Sequence, residues 1–96
     1  MIIEAKKFGN VLTSRDSGRE ALFAFEPTLQ TIGDGEEILV DFDGISTISP
    51  SWGDEFLTPL AKRYGSRLKL KKTENLAVIM TLEMLEEVSG VKFTVV

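Results

Sequence analysis

The chain has 96 residues, 43% of them apolar and 27% charged, and its eleven basic and fifteen acidic side chains give a net charge of −4. That length holds one domain with one core, the apolar content argues against disorder, and the acidic balance lacks the basic footprint of a nucleic-acid binder. Histidine and cysteine are both absent, which removes disulfides, the usual metal ligands, the commonest general base and the thiolate nucleophile, so neither enzyme activity nor a cofactor or metal is expected.

Ile2-Ile3-Glu4-Ala5-Lys6 reads as a short opening strand, and Met1 to Lys7 carries neither the apolar core nor the cleavage site of a signal peptide. Gly9-Asn10 is a turn signal, and Val11-Leu12-Thr13 adds a brief extended piece. Ser14 or Ser17 then caps a first helix, Ser17 having Glu20 at capping-box spacing. Its apolar positions are Leu22, Phe23, Phe25, Leu29 and Ile32, and Pro27 predicts a kink or a split into two short helices. Gly33-Asp34-Gly35 ends that helix. Glu37 to Phe42 is nearly continuous in apolar residues, which predicts a central strand covered on both faces.

After Asp43-Gly44 and an extended Ile45 to Ile48, a second helix runs from near Pro50 to about Tyr64. Gly53, Phe56, Leu57, Leu60, Ala61 and Tyr64 form its buried stripe, Pro59 predicts a distortion, and Gly65 is a natural cap behind Lys62 and Arg63. Leu68-Lys69-Leu70-Lys71 alternates as an amphipathic strand does, and the basic run from Lys62 to Lys72 reads as a solvated helix end followed by a lysine-protected edge strand. Thr73 or Asn75 caps a third helix, whose Leu76, Ile79, Met80, Leu82, Leu85 and Val88 cover a wide apolar face. Ser89-Gly90 ends it, and Phe93-Thr94-Val95-Val96 closes the chain as a strand. No apolar run approaches the roughly 18 residues of a membrane span, so a soluble, cytoplasmic chain is expected. The pattern predicts a single α/β domain over residues 1–96: a mixed, mostly parallel sheet of about four to five strands with about three helices.

Functional groups in such sheets gather at the carboxyl ends of the strands. The segment after Val40-Asp41-Phe42 is such an end, and it carries Ser49, Ser51, Trp52, Asp54 and Glu55. If Ser49 caps the helix, Pro50 takes the first helical position, where its missing N–H costs nothing; if Ser51 caps, Asp54 completes a box-like pair. Either way a serine hydroxyl lies beside unpaired backbone donors, so Ser51 and Ser49 are both candidate phosphorylation sites as well as helix caps. Asp54 and Glu55 would repel a phosphate there, which suits a charge that breaks a contact. Trp52, the sole tryptophan, is either a core lid or an exposed contact anchor. Trp52, Asp54, Glu55, Asp43 and Arg15 make up the candidate partner-contact surface, with a salt bridge to Asp16 or Glu20 as the plain alternative for Arg15. An alternative function is a small carboxylate-based divalent-metal or ligand-binding domain, in which Asp41, Asp43, Asp54 and Glu55 converge at one sheet end. No glycine-rich phosphate loop accompanies them.

Val40-Asp41-Phe42-Asp43-Gly44-Ile45, followed by Ile48-Ser49-Pro50-Ser51-Trp52-Gly53-Asp54-Glu55-Phe56, resembles the bacterial STAS-like domain family of unknown function. Phe8-Gly9, Ser14-Arg15 and Gly18-Arg19 resemble that family's opening. The resemblance implies a STAS-like fold and a relation to the STAS domains of anti-sigma-factor antagonists. There the equivalent turn carries a serine that a partner kinase, a histidine-kinase-like ATPase, phosphorylates, and phosphorylation releases the partner. That serine falls on Ser51; the antagonists' acidic residue two positions earlier becomes Ser49, and their small residue next to the serine becomes Trp52. The function implied is a regulatory protein–protein interaction module with an ATPase of that kind as partner. Edge strands, the lysine-bearing one or Phe93–Val96, offer a route to a homodimer.

Overall fold

The computed structural model describes residues 1–96. In chain order it contains β1 (Ile2–Glu4), a 3₁₀ turn (Ala5–Phe8), β2 (Val11–Leu12), α1 (Arg15–Leu29), β3 (Ile38–Asp41), β4 (Thr47–Ile48), α2 (Pro50–Tyr64), a second 3₁₀ turn (Gly65–Arg67), β5 (Leu68–Leu70), α3 (Leu76–Ser89) and β6 (Thr94–Val95). Each helix starts on a side-chain cap. Ser14 Oγ accepts from Ser17 N at 2.9 Å, Ser49 Oγ from Trp52 N at 3.4 Å, and Asn75 Oδ1 from Ala77 N at 2.9 Å. Asn75 also donates to the Ile45 carbonyl at 2.9 Å, which ties the start of α3 to the loop after β3. Gly90, in the left-handed region at φ 73°, ends α3.

The split into two short helices, one of the two outcomes expected at Pro27, does not occur. α1 is one helix to Leu29: the one backbone bond that Pro27 forfeits, to the Phe23 carbonyl, falls near the helix end and on its exposed side. Ile32 falls beyond the helix, and Phe23, expected on the buried stripe, is 81% exposed.

Four strands form one parallel sheet in the order β1-β3-β5-β6, and β2 and β4 form a separate parallel pair. The order advances in one direction, so right-handed crossovers bring all three helices to one face. Ile3, Ile38, Val40, Leu68 and Leu70 point to that face and are buried. Ile2, Leu39, Lys69 and Thr94 align across the other face. The expectation of a central strand covered on both faces is therefore overturned. Asp41 and Lys69 occupy the open side, where Lys71–Asp41 and Lys69–Glu37 pairs, each 3.7 Å, run between strands. β5 is an interior strand and not the predicted lysine-protected edge; the edges are β1 and β6.

The core between sheet and helices includes a cluster of Phe8, Phe25, Trp52 and Phe56, with ring centroids 4.9–6.3 Å apart. Full burial of a side chain such as Phe56 contributes roughly 1.5–3 kcal/mol. No helix is long and apolar enough to cross a membrane.

Candidate functional site

The turn into α2 is held by its neighbour strand. Asn10 O accepts from Ser46 N at 2.8 Å, Leu12 O accepts from Ser49 N at 2.9 Å, and Ser49 Oγ donates to Thr13 O at 2.7 Å. Of the two serines that could cap α2, Ser49 does so, and Pro50 takes the first helical position. The Ser49 hydroxyl is thereby committed twice, as acceptor for Trp52 N and as donor to Thr13. Ser51 is half-buried, one position further into the helix, and its hydroxyl has no hydrogen-bond partner among those of the chain.

Trp52 is not part of a contact surface. It is 0% exposed and stacks in the aromatic cluster, 4.9 Å from Phe56 between centroids. Its neighbour across the helix crossing is Gly18 of α1, where a Cβ would lie 2.6 Å from the Trp52 carbonyl oxygen. A glycine at that point lets α1 lie against the backbone of α2 and close over the indole. The indole N–H is buried without a partner, so the ring serves as apolar volume. On the far side, a Cβ at Gly53 would lie 2.9 Å from Leu85 Cδ1, which marks an equally close approach of α3.

The acidic first turn of α2 is balanced by α1. Arg15 Nη1 donates to Asp54 Oδ2 at 3.0 Å and to Glu55 Oε1 at 3.4 Å, and Arg19 Nη2 stands 3.7 Å from the same Glu55 oxygen. Arg15 thus reaches across the helix pair, whereas the local salt bridge to Asp16 belongs to Arg19, at 3.1 Å. Ser89 Oγ, at the end of α3, donates to Asp54 Oδ1 at 3.1 Å. The Arg15 guanidinium, with the Ser89 hydroxyl, holds the Asp54 carboxyl below the usual carboxylate range. The same contacts, Asp54 foremost, raise the Arg15 guanidinium further.

These residues border a cleft of about 120 Å³ between the first turn of α2 and α3, lined by Arg15, Pro50, Ser51, Asp54, Met84 and Val88. Asp43 stands apart from it. Its amide donates to Asp41 Oδ1 at 2.9 Å, and it lines a separate polar crevice with Lys71, Lys72 and Glu74 at the carboxyl ends of β3 and β5. The four carboxylates of the alternative reading do not converge: Asp41 is engaged by Lys71, Asp54 and Glu55 by arginines, and no three acidic side chains are grouped to hold a metal ion. Part of the basic run is paired: Arg63 with α1, and Lys69 and Lys71 across the open face of the sheet. Arg63 forms a two-pronged pair with Glu26 of α1 at 2.6 and 3.0 Å, which holds the Glu26 carboxyl below its usual range.

Three members of the site escaped the sequence reading: Arg19, Ser89 and Met84. Met84 alone left a signal, since Leu76, Met80, Met84 and Val88 recur every four residues and so form a row along one helix.

A family model for the STAS-like domain of unknown function matches residues 18–76, more than half of the chain, and spans α2 with the turn that precedes it. No curated protein and no solved structure matches the chain.

Proposed function

The chain belongs to the STAS-like domain family, and from that premise we propose that it is a regulatory protein-interaction module resembling an anti-sigma-factor antagonist, docking through the Ser51 cleft and switched by phosphorylation of Ser51. The observation that carries this reading is the different state of the two serines. Ser49 holds the cap of α2 and the Thr13 carbonyl, so modifying it would dismantle the turn. The Ser51 hydroxyl is uncommitted and half-exposed at the lip of a cleft whose floor is Pro50, Met84 and Val88. A kinase reaches it without disturbing a hydrogen bond.

A phosphate on Ser51 brings a charge of about −1.5 to −2 to that lip. Arg15 lies nearby but is already paired with Asp54 and Glu55, and those two carboxylates repel the added charge, so it stays exposed at the lip. A partner side chain seated in the cleft would then have to strip water from a dianion, which removes the contact. The partner in this reading is a cytoplasmic, bacterial histidine-kinase-like ATPase, the kinase class that the resemblance at Ile48 to Phe56 brings with it. The chain itself is not an enzyme and uses no cofactor.

The test is calorimetric titration of the wild type, Ser51→Ala and Ser51→Asp against histidine-kinase-like ATPases encoded in the same operon, with mass spectrometry of the chain after incubation with ATP. The wild type and Ser51→Ala should bind alike, phosphate should appear on Ser51 of the wild type only, and Ser51→Asp should bind about tenfold or more weakly, a loss of roughly 1.4 kcal/mol. Equal binding by all three proteins would refute the switch.

A further inference from the structure

α3 carries more apolar surface than the fold buries. Val78, Thr81 and Leu85 point into the core, while Leu76, Met80, Met84 and Val88 are 71%, 65%, 50% and 78% exposed. Side chains four apart stack on one side of a helix, so these four form a single ridge of about 18 Å, at 1.5 Å per residue. A ridge of that length is more than the scattered apolar residues of an ordinary surface. One flank is acidic, with Glu83 and Glu87 exposed. No lysine or arginine occurs between Lys72 and Lys92. The other flank opens into the Ser51 cleft, which Met84 and Val88 also line.

We infer that this ridge is the docking face for an amphipathic helix of the partner protein, one with an apolar row bordered by lysine or arginine. A straight row at four-residue spacing matches the apolar row of a second helix, and two methionines let the face adjust to side chains of different shape. The glutamates set the sign of the partner: basic residues beside its apolar row meet Glu83 and Glu87, while acidic ones are repelled. The same glutamates disfavour the other occupants. A second copy of the chain, ridge against ridge, would oppose them to each other, and an anionic membrane surface would repel them. The adjoining cleft has room for the tip of one apolar side chain at the end of the partner helix. This inference rests on the docking reading above but not on the Ser51 switch.

The experiment uses two labelled peptides of about 18 residues, long enough to hold a helix, with the same leucine row and either lysine or glutamate elsewhere. Fluorescence anisotropy against the full chain should show binding of the lysine peptide and not of the glutamate peptide. Met80→Gln/Met84→Gln should weaken binding about tenfold or more with an unchanged thermal melt, since both side chains are exposed. Glu83→Lys/Glu87→Lys should transfer the preference to the glutamate peptide. Binding of both peptides alike, or binding indifferent to the methionine pair, overturns the inference. So does self-association, or sedimentation with phosphatidylglycerol vesicles, that the methionine pair abolishes, because either would assign the ridge to a different occupant. If Ser51→Asp leaves ATPase binding intact while the ridge variants lose the peptide, the switch falls and this inference stands; harmless ridge variants with a working switch give the reverse.

Discussion

Replacing Gly18 with alanine tests how closely α1 lies on α2. In an exposed helix the exchange of glycine for alanine stabilises by about 1 kcal/mol. Here the added Cβ would sit 2.6 Å from the Trp52 carbonyl oxygen, 3.1 Å from Trp52 Cα and 3.2 Å from Glu55 Cβ. Two of those atoms are backbone, so no rotamer change relieves the contact and the helices must separate. Separation disturbs the packing over Trp52 and lengthens the Arg15–Asp54 and Arg19–Glu55 pairs that cross the same seam. Overpacking of this kind costs about 1–3 kcal/mol and sometimes more. A 2.6 Å contact with backbone belongs in the upper part of that range, about 2–3 kcal/mol, so with the propensity gain of about 1 kcal/mol subtracted Gly18→Ala should destabilise by about 1–2 kcal/mol, or about 5–15 °C in Tm for a domain of this size. Urea unfolding followed by fluorescence reads this directly, because Trp52 is the sole tryptophan and is fully buried. Ala24→Gly, at an exposed position of the same helix, supplies the propensity term. Gly53→Ala should cost less, since its Cβ would meet the movable ends of Leu85 and Thr81. A Gly18→Ala protein as stable as the wild type would refute the close crossing.

The same unfolding assay should separate the two serines, with Ser49→Ala costing about 1 kcal/mol as a lost cap and Ser51→Ala staying within about 0.5 kcal/mol as a surface change. Asp54 and Glu26 titrate below their usual range when folded, through Arg15 and Arg63 respectively. Their contribution is therefore complete above the unfolded carboxylate values, near pH 4, and is lost as pH falls through the lower folded values. Plots of urea midpoint against pH should be flat in these groups from neutral to about pH 5 and fall in acid. Arg15→Ala should return the Asp54 carboxyl toward its ordinary value in a carbon-detected NMR titration, and an unmoved Asp54 would sink the assignment. Trp52→Phe gives up no hydrogen bond, because the indole N–H has none, and should cost about 1–3 kcal/mol through the lost ring and the cavity it leaves. Trp52→Ala should cost about 3–5 kcal/mol, both read by circular dichroism.

What the sequence determined by itself was local. Each helix start was narrowed to a pair of caps, Ser14 or Ser17, Ser49 or Ser51, and Thr73 or Asn75, because a short polar side chain can bond the amides two or three residues ahead of it, and Gly90 ends α3 because it takes a left-handed backbone. Leu68-Lys69-Leu70 alternates because successive strand residues face opposite ways. The choice between Ser49 and Ser51 needed Thr13, 36 positions from Ser49, to receive the hydroxyl. Periodicity says which residues share a face, but not whether another element covers it. That is why Leu76, Met80 and Val88 read as part of one wide apolar face with Leu85 although they are exposed and Leu85 is buried, and why β3 read as covered on both sides and is covered on one. It is also why Trp52 stayed undecided until Gly18 brought α1 over it. Arg15 had acids close by in sequence, yet it pairs with Asp54 and Glu55, because the α1–α2 crossing carries those carboxylates to it. Burial and long-range pairing come from how elements are stacked, and only the tertiary structure decided them.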